Sequence, residues 1–405
     1  MILKNCRLVP ELCEGFAEEM ADIRIEEKKI AEILPAGGTY VGEEVIDCAG
    51  MTVLPGLFNC HEHFYFTKNN FPFLHAYSLA DHMFHSINYA QQLLSYGFTT
   101  VKDCGSIDNT AIKLRDAVNA GLIAGPNILA CGPSFSPHFE NEKLLDIYSS
   151  VQGTPVTGVD MIKNAVEYQL AQGADFIKLC GTSAKKTVKR AEDALGQCLF
   201  KPEEVMAFSK EAQRLGSYVT VHSTAVECHE MVIEAECHTL DHGIYLNQDN
   251  VDAIVKHGFK TALVPTLAVS YVGFKENWPT YDVCHPGAGN GMRMAHDAGV
   301  LVGFGTDDFQ KDFMKMPAVE FIARSDFGIS NVDILKQATI NSAKICGVEK
   351  KRGTIKAGKV ADFAIVEGKP DEDLTVFNKP CAYVLKNGKV VARQGVVMSS
   401  EVKYK

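Results

Sequence analysis

Four histidines, one lysine and one aspartate stand at spacings suited to holding a divalent metal. In VLPGLFNCHEHF, His61 and His63 are two residues apart, and on an extended segment such residues point to the same side, so both imidazoles can reach one ion. His222 closes RLGSYVTVH and His242 lies in TLDHGIYL, a pair that could hold a second ion. Lys178 stands near the end of AQGADFIKLC, and Asp307 closes DAGVLVGFGTD. Taken singly, each has an ordinary explanation. An HxH arises by chance, a strand-end His or a GTD is common, and a lone lysine is usually a surface or salt-bridged residue. What argues for chemistry is that all six fall at one phase of an independent repeat.

That repeat is a helical stretch, a Gly, then an apolar run ending in a polar residue: SYGFTTVKD, AQGADFIKLC, RLGSYVTVH, KHGFKTALVP and DAGVLVGFGTD. Each Gly suits the left-handed position that ends a helix, and each run is rich in residues that favour buried strands. The helix expected from Pro202 to Leu215 has Pro in its first turn, Glu203 and Glu204 toward the dipole, and Val205, Phe208, Ala212 and Leu215 on one face. Strands alternating with helices predict an α/β fold, a (β/α)8 TIM barrel, with strands near 52–58, 98–103, 126–131, 175–180, 217–222, 238–242, 260–265 and 300–306. In such a barrel the catalytic face lies at the strand C-termini, which puts all six residues on one rim.

The flanks have a different texture. Both carry short alternating strands broken by Gly, Asn-Gly and Pro, and neither is long enough for a core of its own. They are expected to form one small β-sandwich from residues 1–54 and 351–405, leaving 55–350 to the barrel. The stretch 181–200 lacks a strand pattern and follows a strand end, which makes it a candidate active-site loop. His138, in CGPSFSPHFE after strand three, and Tyr245, in TLDHGIYL, are the expected substrate contacts. Lys185, Lys186, Arg293 and Arg324 are basic residues that could meet a substrate carboxylate.

The 405 residues are 46% hydrophobic and 22% charged, an ordinary globular balance. A net charge of −10 argues against a sequence-independent grip on nucleic acid or on anionic lipid. No apolar run long enough to span a membrane and no secretory signal is seen, so a cytoplasmic, homo-oligomeric enzyme acting on a small molecule is expected. The 13 cysteines are scattered and never spaced as CxxC, which predicts reduced, mostly buried thiols.

With these pieces in place the sequence resembles the amidohydrolase superfamily, in the branch similar to imidazolonepropionase-like enzymes and metal-dependent prolidases, the Xaa-Pro and Xaa-Arg dipeptidases. The resemblance covers nearly the whole chain and rests on VIDCAGMTVLPGLFNCHEHF, GADFIKLCGT, VTVHSTA, TLDHGIYL, GFGTDD and GTIKAGKVADFAIVEGKPDEDL. It implies two divalent metal ions, with His61, His63 and Asp307 on the more buried and His222 and His242 on the more exposed, and Lys178 carboxylated by carbon dioxide to bridge them. Zinc is the first choice, because nitrogen ligands dominate. The implied activity is cleavage of an amide or peptide-like bond, of dipeptide or N-acyl amino acid type, by a metal-bridging hydroxide, with Asp307 as the catalytic proton carrier. The alternatives are a mononuclear deaminase, disfavoured because Ala225 stands where a proton-shuttling Glu is common, and a cyclic-amide, imidazolone-type hydrolase, whose members generally lack the bridging lysine. Two departures from the family pattern are Thr224, where an aromatic or His is frequent, and Glu236-Cys237 in place of a Gly-containing turn.

Overall fold

The computed structural model describes residues 1–66, 77–137, 153–182, 198–275 and 281–399. The N-terminal flank supplies β1 (Ile2–Arg7), β2 (Met20–Glu26), β3 (Lys29–Pro35), β4 (Val45–Asp47) and β5 (Met51–Pro55). Parallel strands follow: β6 (Leu57–Glu62), β7 (Phe98–Asp103), β8 (Asn127–Ala130), β9 (Ser134–Ser136), β10 (Gly153–Pro155), β11 (Ile177–Cys180), β12 (Val219–Ser223), β13 (Thr239–His242) and β14 (Ala262–Val264). The C-terminal flank adds β15 (Phe363–Glu367), β16 (Tyr383–Lys386), β17 (Lys389–Arg393) and β18 (Val396–Val397).

Both flanks share one nine-stranded sheet. Its join lies mid-sheet, where β5 pairs antiparallel with β15, Leu54 opposite Ala364, and meets β1 on the other side. Leu3, Ile23 and Val53 from one flank are buried with Phe363, Ile365 and Leu385 from the other. The Arg7 guanidinium adds a two-pronged bond to Asp371, at 2.7 and 2.8 Å.

The barrel strands form a six-stranded sheet, β10-β9-β11-β12-β13-β14, and a three-stranded one, β6-β7-β8, so the strand ladder is not closed. Two expectations change here. The first barrel strand begins after Gly56, because 51–55 pairs with β15; a side chain at Gly56 would sit 2.0 Å from Thr99 Oγ1, so only glycine lets the chain cross between the two sheets. The eighth strand reduces to a bridge from Val302 to Leu263. Its chain still lies between β14 and β6: Gly303 N–H donates to Leu263 O at 2.9 Å, Cys60 N–H to Phe304 O at 2.7 Å and Asp307 N–H to His61 O at 2.9 Å. That last bond ties the GTD turn to the HxH strand.

Apolar residues of strands and helices fill the space between the layers, among them Leu57, Val101, Leu179, Val221, Leu240, Phe208 and Leu93. The helix Pro202–Arg214 begins as expected, with Glu204 accepting the Lys201 N–H at 2.9 Å, and stops before Gly216, which takes φ 76°. Leu215 lies outside its buried face, 40% exposed, because the turn has already begun there. The described cysteines are free thiols, most of them buried. Among the described residues no helix is long and apolar enough to cross a membrane.

Candidate metal centre

Strand alternation explains which residues reach the rim. Lys178, Thr220 and Thr239 stand side by side across β11, β12 and β13, and His222 and Asp241 lie two residues further along, on the same face. His242, following Asp241 directly, would then face away. Its φ of 70° breaks the alternation, and its Nε2 comes within 2.7 Å of His222 Nδ1. Asp307 has the same left-handed backbone, φ 52°. Such conformations cost roughly 1–2 kcal/mol without glycine and gather at functional sites, where surrounding contacts enforce them.

Asp307 is the meeting point. Its Oδ1 lies 3.7 Å from His61 Nε2 and 3.6 Å from His63 Nε2, and its Oδ2 lies 3.9 Å from His242 Nδ1. Donor atoms of His61, His242 and Asp307 all fall within 4.8 Å of one another. His63 Nδ1 is 2.8 Å from the Gly105 carbonyl, which can only accept, so Nδ1 carries the hydrogen and Nε2 turns a lone pair toward Asp307. Burial pushes His63 and His242 well below the usual imidazole range and His222 down to about 3. These rings are therefore neutral at neutral pH, the form that ligates a metal. Burial also pushes the Asp307 carboxyl up to about 6, a shift that an adjacent dication would oppose. Neutral imidazoles converging on a carboxylate fit a divalent ion. A second grouping, His61, Cys104 and Asp241, lies close by. Burial raises the Cys104 thiol, which stays protonated and fits a metal poorly.

Lys178 is buried and its ammonium is bonded to the Asp241 carboxylate. Burial lowers the amine's pKa, but the charge and hydrogen bond of Asp241, together with the nearby Cys104 and Cys180, raise it overall.

The remaining expected residues fare differently. His138, Lys185 and Lys186, with most of the candidate loop, lie outside the described residues. The base of that loop is held by a Thr182–Cys198 bridge, and Thr224, one of the two departures noted above, hydrogen-bonds Thr182 at 2.8 Å. Glu236, the other, takes the left-handed turn itself, φ 51°. Tyr245 is half-buried beyond His242, with its ring so close to Gly287 that an added side chain there would meet it at 3.0 Å. Arg293 is paired with Asp297 on its own helix, and Arg324 is wholly buried against Glu320 and Gln337, so neither is placed to receive a substrate carboxylate.

Sequence reasoning missed the supports. Glu62, between the two histidines, is buried and accepts from His63 N–H at 2.9 Å, Asn59 Nδ2 at 3.0 Å, Thr306 Oγ1 at 2.7 Å and the Tyr89 hydroxyl at 3.1 Å. It locks the HxH strand to the GTD turn, and burial pushes its pKa up to about 7. Asp241 was missed because it adjoins a histidine that alternation puts on the other face.

The model of the amidohydrolase family matches residues 52–391. Ochratoxinase of Aspergillus niger is 25% identical over 377 residues, covering 85% of this chain and 76% of that protein. Imidazolonepropionase of Thermoplasma volcanium is 23% identical over 364 residues, covering 86% and 84%. Among solved structures, a Xaa-Pro dipeptidase with methionine bound in the active site superimposes with a TM-score of 0.84 at 28% identity, covering 96% of this chain and 98% of that one.

Proposed function

This chain belongs to the amidohydrolase family, and from that premise we propose that it cleaves an amide or peptide-like bond in a dipeptide or N-acyl amino acid, using two divalent metal ions, zinc as first choice. It is a hydrolase acting on carbon–nitrogen bonds. The observation that carries the finer reading is the approach of Asp307 to His61, His63 and His242 at 3.6 to 3.9 Å. The dipeptidase likeness supports the substrate class.

In this reading His61, His63 and Asp307 would hold one ion and His222 and His242 the other, and Lys178, as a carbamate, would be a further ligand. When bound, the ions supply Lewis acidity, lowering the pKa of water and polarising a carbonyl. Asp307 takes the proton released by the attacking water on a carboxylate oxygen and returns it to the leaving nitrogen. The Lys178 ammonium first loses one proton; the neutral amine then adds to carbon dioxide, and the carbamic acid so formed loses a second proton to solvent, so that a negative charge replaces a positive one. Tyr245 and His138 are the proposed substrate contacts.

One observation favours a second reading. The Lys178 ammonium already has a buried counter-ion in Asp241, which suits a site with one metal and an unmodified lysine, the arrangement of a mononuclear hydrolase or deaminase. Metal analysis of the purified protein, combined with a panel of dipeptides, N-acyl amino acids and cyclic amides, separates them. Two metals per chain and turnover of the first two classes support the main reading; one metal with deamination or ring opening overturns it.

A further inference from the structure

Below the rim, the barrel interior holds a second lysine. Lys102 on β7 is wholly buried, its ammonium donating to Thr220 Oγ1 at 2.6 Å and lying 4.3 Å from the Phe176 ring centroid and 5.2 Å from that of Tyr218. Taking an ammonium out of water costs several kcal/mol unless its charge and hydrogens are met, so its placement calls for a partner beyond the rings. The contacts lead to one. The Thr220 and Thr239 hydroxyls are 2.9 Å apart, and Thr239 Oγ1 lies 3.2 Å from Asp241 Oδ1.

Direction follows from the two ends. An ammonium only donates and an ionised carboxylate only accepts, while each hydroxyl has a single hydrogen. The arrangement that uses every contact once therefore runs from Lys102 to Thr220, from Thr220 to Thr239, and from Thr239 to Asp241 Oδ1. The other oxygen of Asp241, Oδ2, lies 3.0 Å from His61 Nδ1 and is bonded to Lys178. The approach to His61 is close but off the N–H direction, so that a small turn of the carboxylate decides whether the bond forms. Fixing Oδ1 fixes that turn.

We propose that Lys102 is a positioning residue that, through Thr220 and Thr239, orients Asp241 so that His61 keeps its hydrogen on Nδ1 and presents Nε2 to the rim. The consequence for metal binding rests on the metal-centre reading; the effect on the His61 tautomer does not. Orienting partners of metal-ligating histidines are commonly worth 10–100-fold in affinity, about the scale expected here.

Two measurements on the full-length protein test this. Nitrogen-15 NMR of the histidine rings after metal removal, with His61 assigned by its loss in His61→Asn, reads the tautomer, and competition with a chromophoric chelator reads zinc affinity. The parent and Thr239→Ser, which keeps the hydroxyl, should hold His61 as the Nδ1–H tautomer. Lys102→Met and Thr239→Val should each give a tautomer mixture and bind zinc about tenfold more weakly, and the double variant should lose no more than the weaker-binding single. Should Lys102→Met fail to fold, the Thr239 pair decides alone. A His61 tautomer unmoved in the folded variants overturns the inference, whatever the zinc affinity does. A tautomer that moves as stated in a parent that binds no zinc supports the inference and overturns the metal-centre reading.

Discussion

Lys178 on β11 and Asp241 on β13 form a buried ion pair across the intervening β12, beneath the rim histidines. The two side chains come from alternate strands, which is how a barrel interior stacks its layers. Such a pair is weak evidence for stability, because desolvation offsets its attraction, but removing one partner alone strands the other charge, at a typical cost of about 3–5 kcal/mol.

On the two-metal reading, and despite that pairing, the metal-loaded enzyme should carry a carbamate on Lys178, seen as a carbon-13 signal after labelling with bicarbonate. Lys178→Ala should lower turnover by about 100-fold or more and be partly rescued by a short-chain carboxylic acid. An unlabelled lysine in a protein holding two metals would refute the bridge.

On the same reading, Asp307→Asn should keep the fold and lose turnover by roughly 100-fold to 10,000-fold, since a proton carrier and a metal contact would go together. Asp308 is the comparator. Burial, with Glu62 nearby, raises its pKa well above the usual carboxylate range, which favours the protonated acid. Asp308→Asn, nearly the same shape and charge, should therefore stay within about tenfold of parent activity. Equal losses in the two variants would remove Asp307 from its role.

Removing metal with a chelator should abolish turnover and lower the melting temperature, because a ligand bound only to the folded state stabilises it in proportion to the logarithm of its concentration over Kd. Zinc, manganese or cobalt should restore both. Turnover undiminished after metal is shown to be gone would end the metal-dependent reading.

At the other end of the molecule, Glu14 links the flanks by accepting from Thr354 at 2.6 Å, Lys356 at 2.6 Å and Lys359 at 2.9 Å. These donors, Lys356 first, hold its pKa at about 2. A folded pKa below the unfolded one means stabilisation that is present above about pH 4.3 and lost as the pH falls toward 2. The carboxylate is 40% exposed, so solvent screening makes the contribution small. Melting curves of parent and Glu14→Gln should differ at pH 6 and draw together as the pH falls to about 2; a gap that persists there undiminished would show that charge is not its origin.

Much of this was written in the chain itself. The Gly-then-apolar phrase placed β7, β11, β12 and β14 within a few residues, since helix ends and buried strands leave local marks in glycine and in β-branched residues. The parity of His61 and His63, and the endings of the repeated runs, brought forward the histidines, Lys178 and Asp307, because side-chain direction in a strand is a matter of counting. Counting fails where the backbone leaves its regular form. The left-handed φ of His242 turns a residue that alternation would send elsewhere, Asp307 shares that conformation, and only surrounding contacts hold it. Nor could spacing reveal that Asp241 would stand against Lys178, that Glu62 would bind the GTD turn, or that Lys102 would be buried under the site. These contacts join strands up to some 240 residues apart, as Glu62 and Thr306 are, and no local signal records which buried charges a barrel brings together.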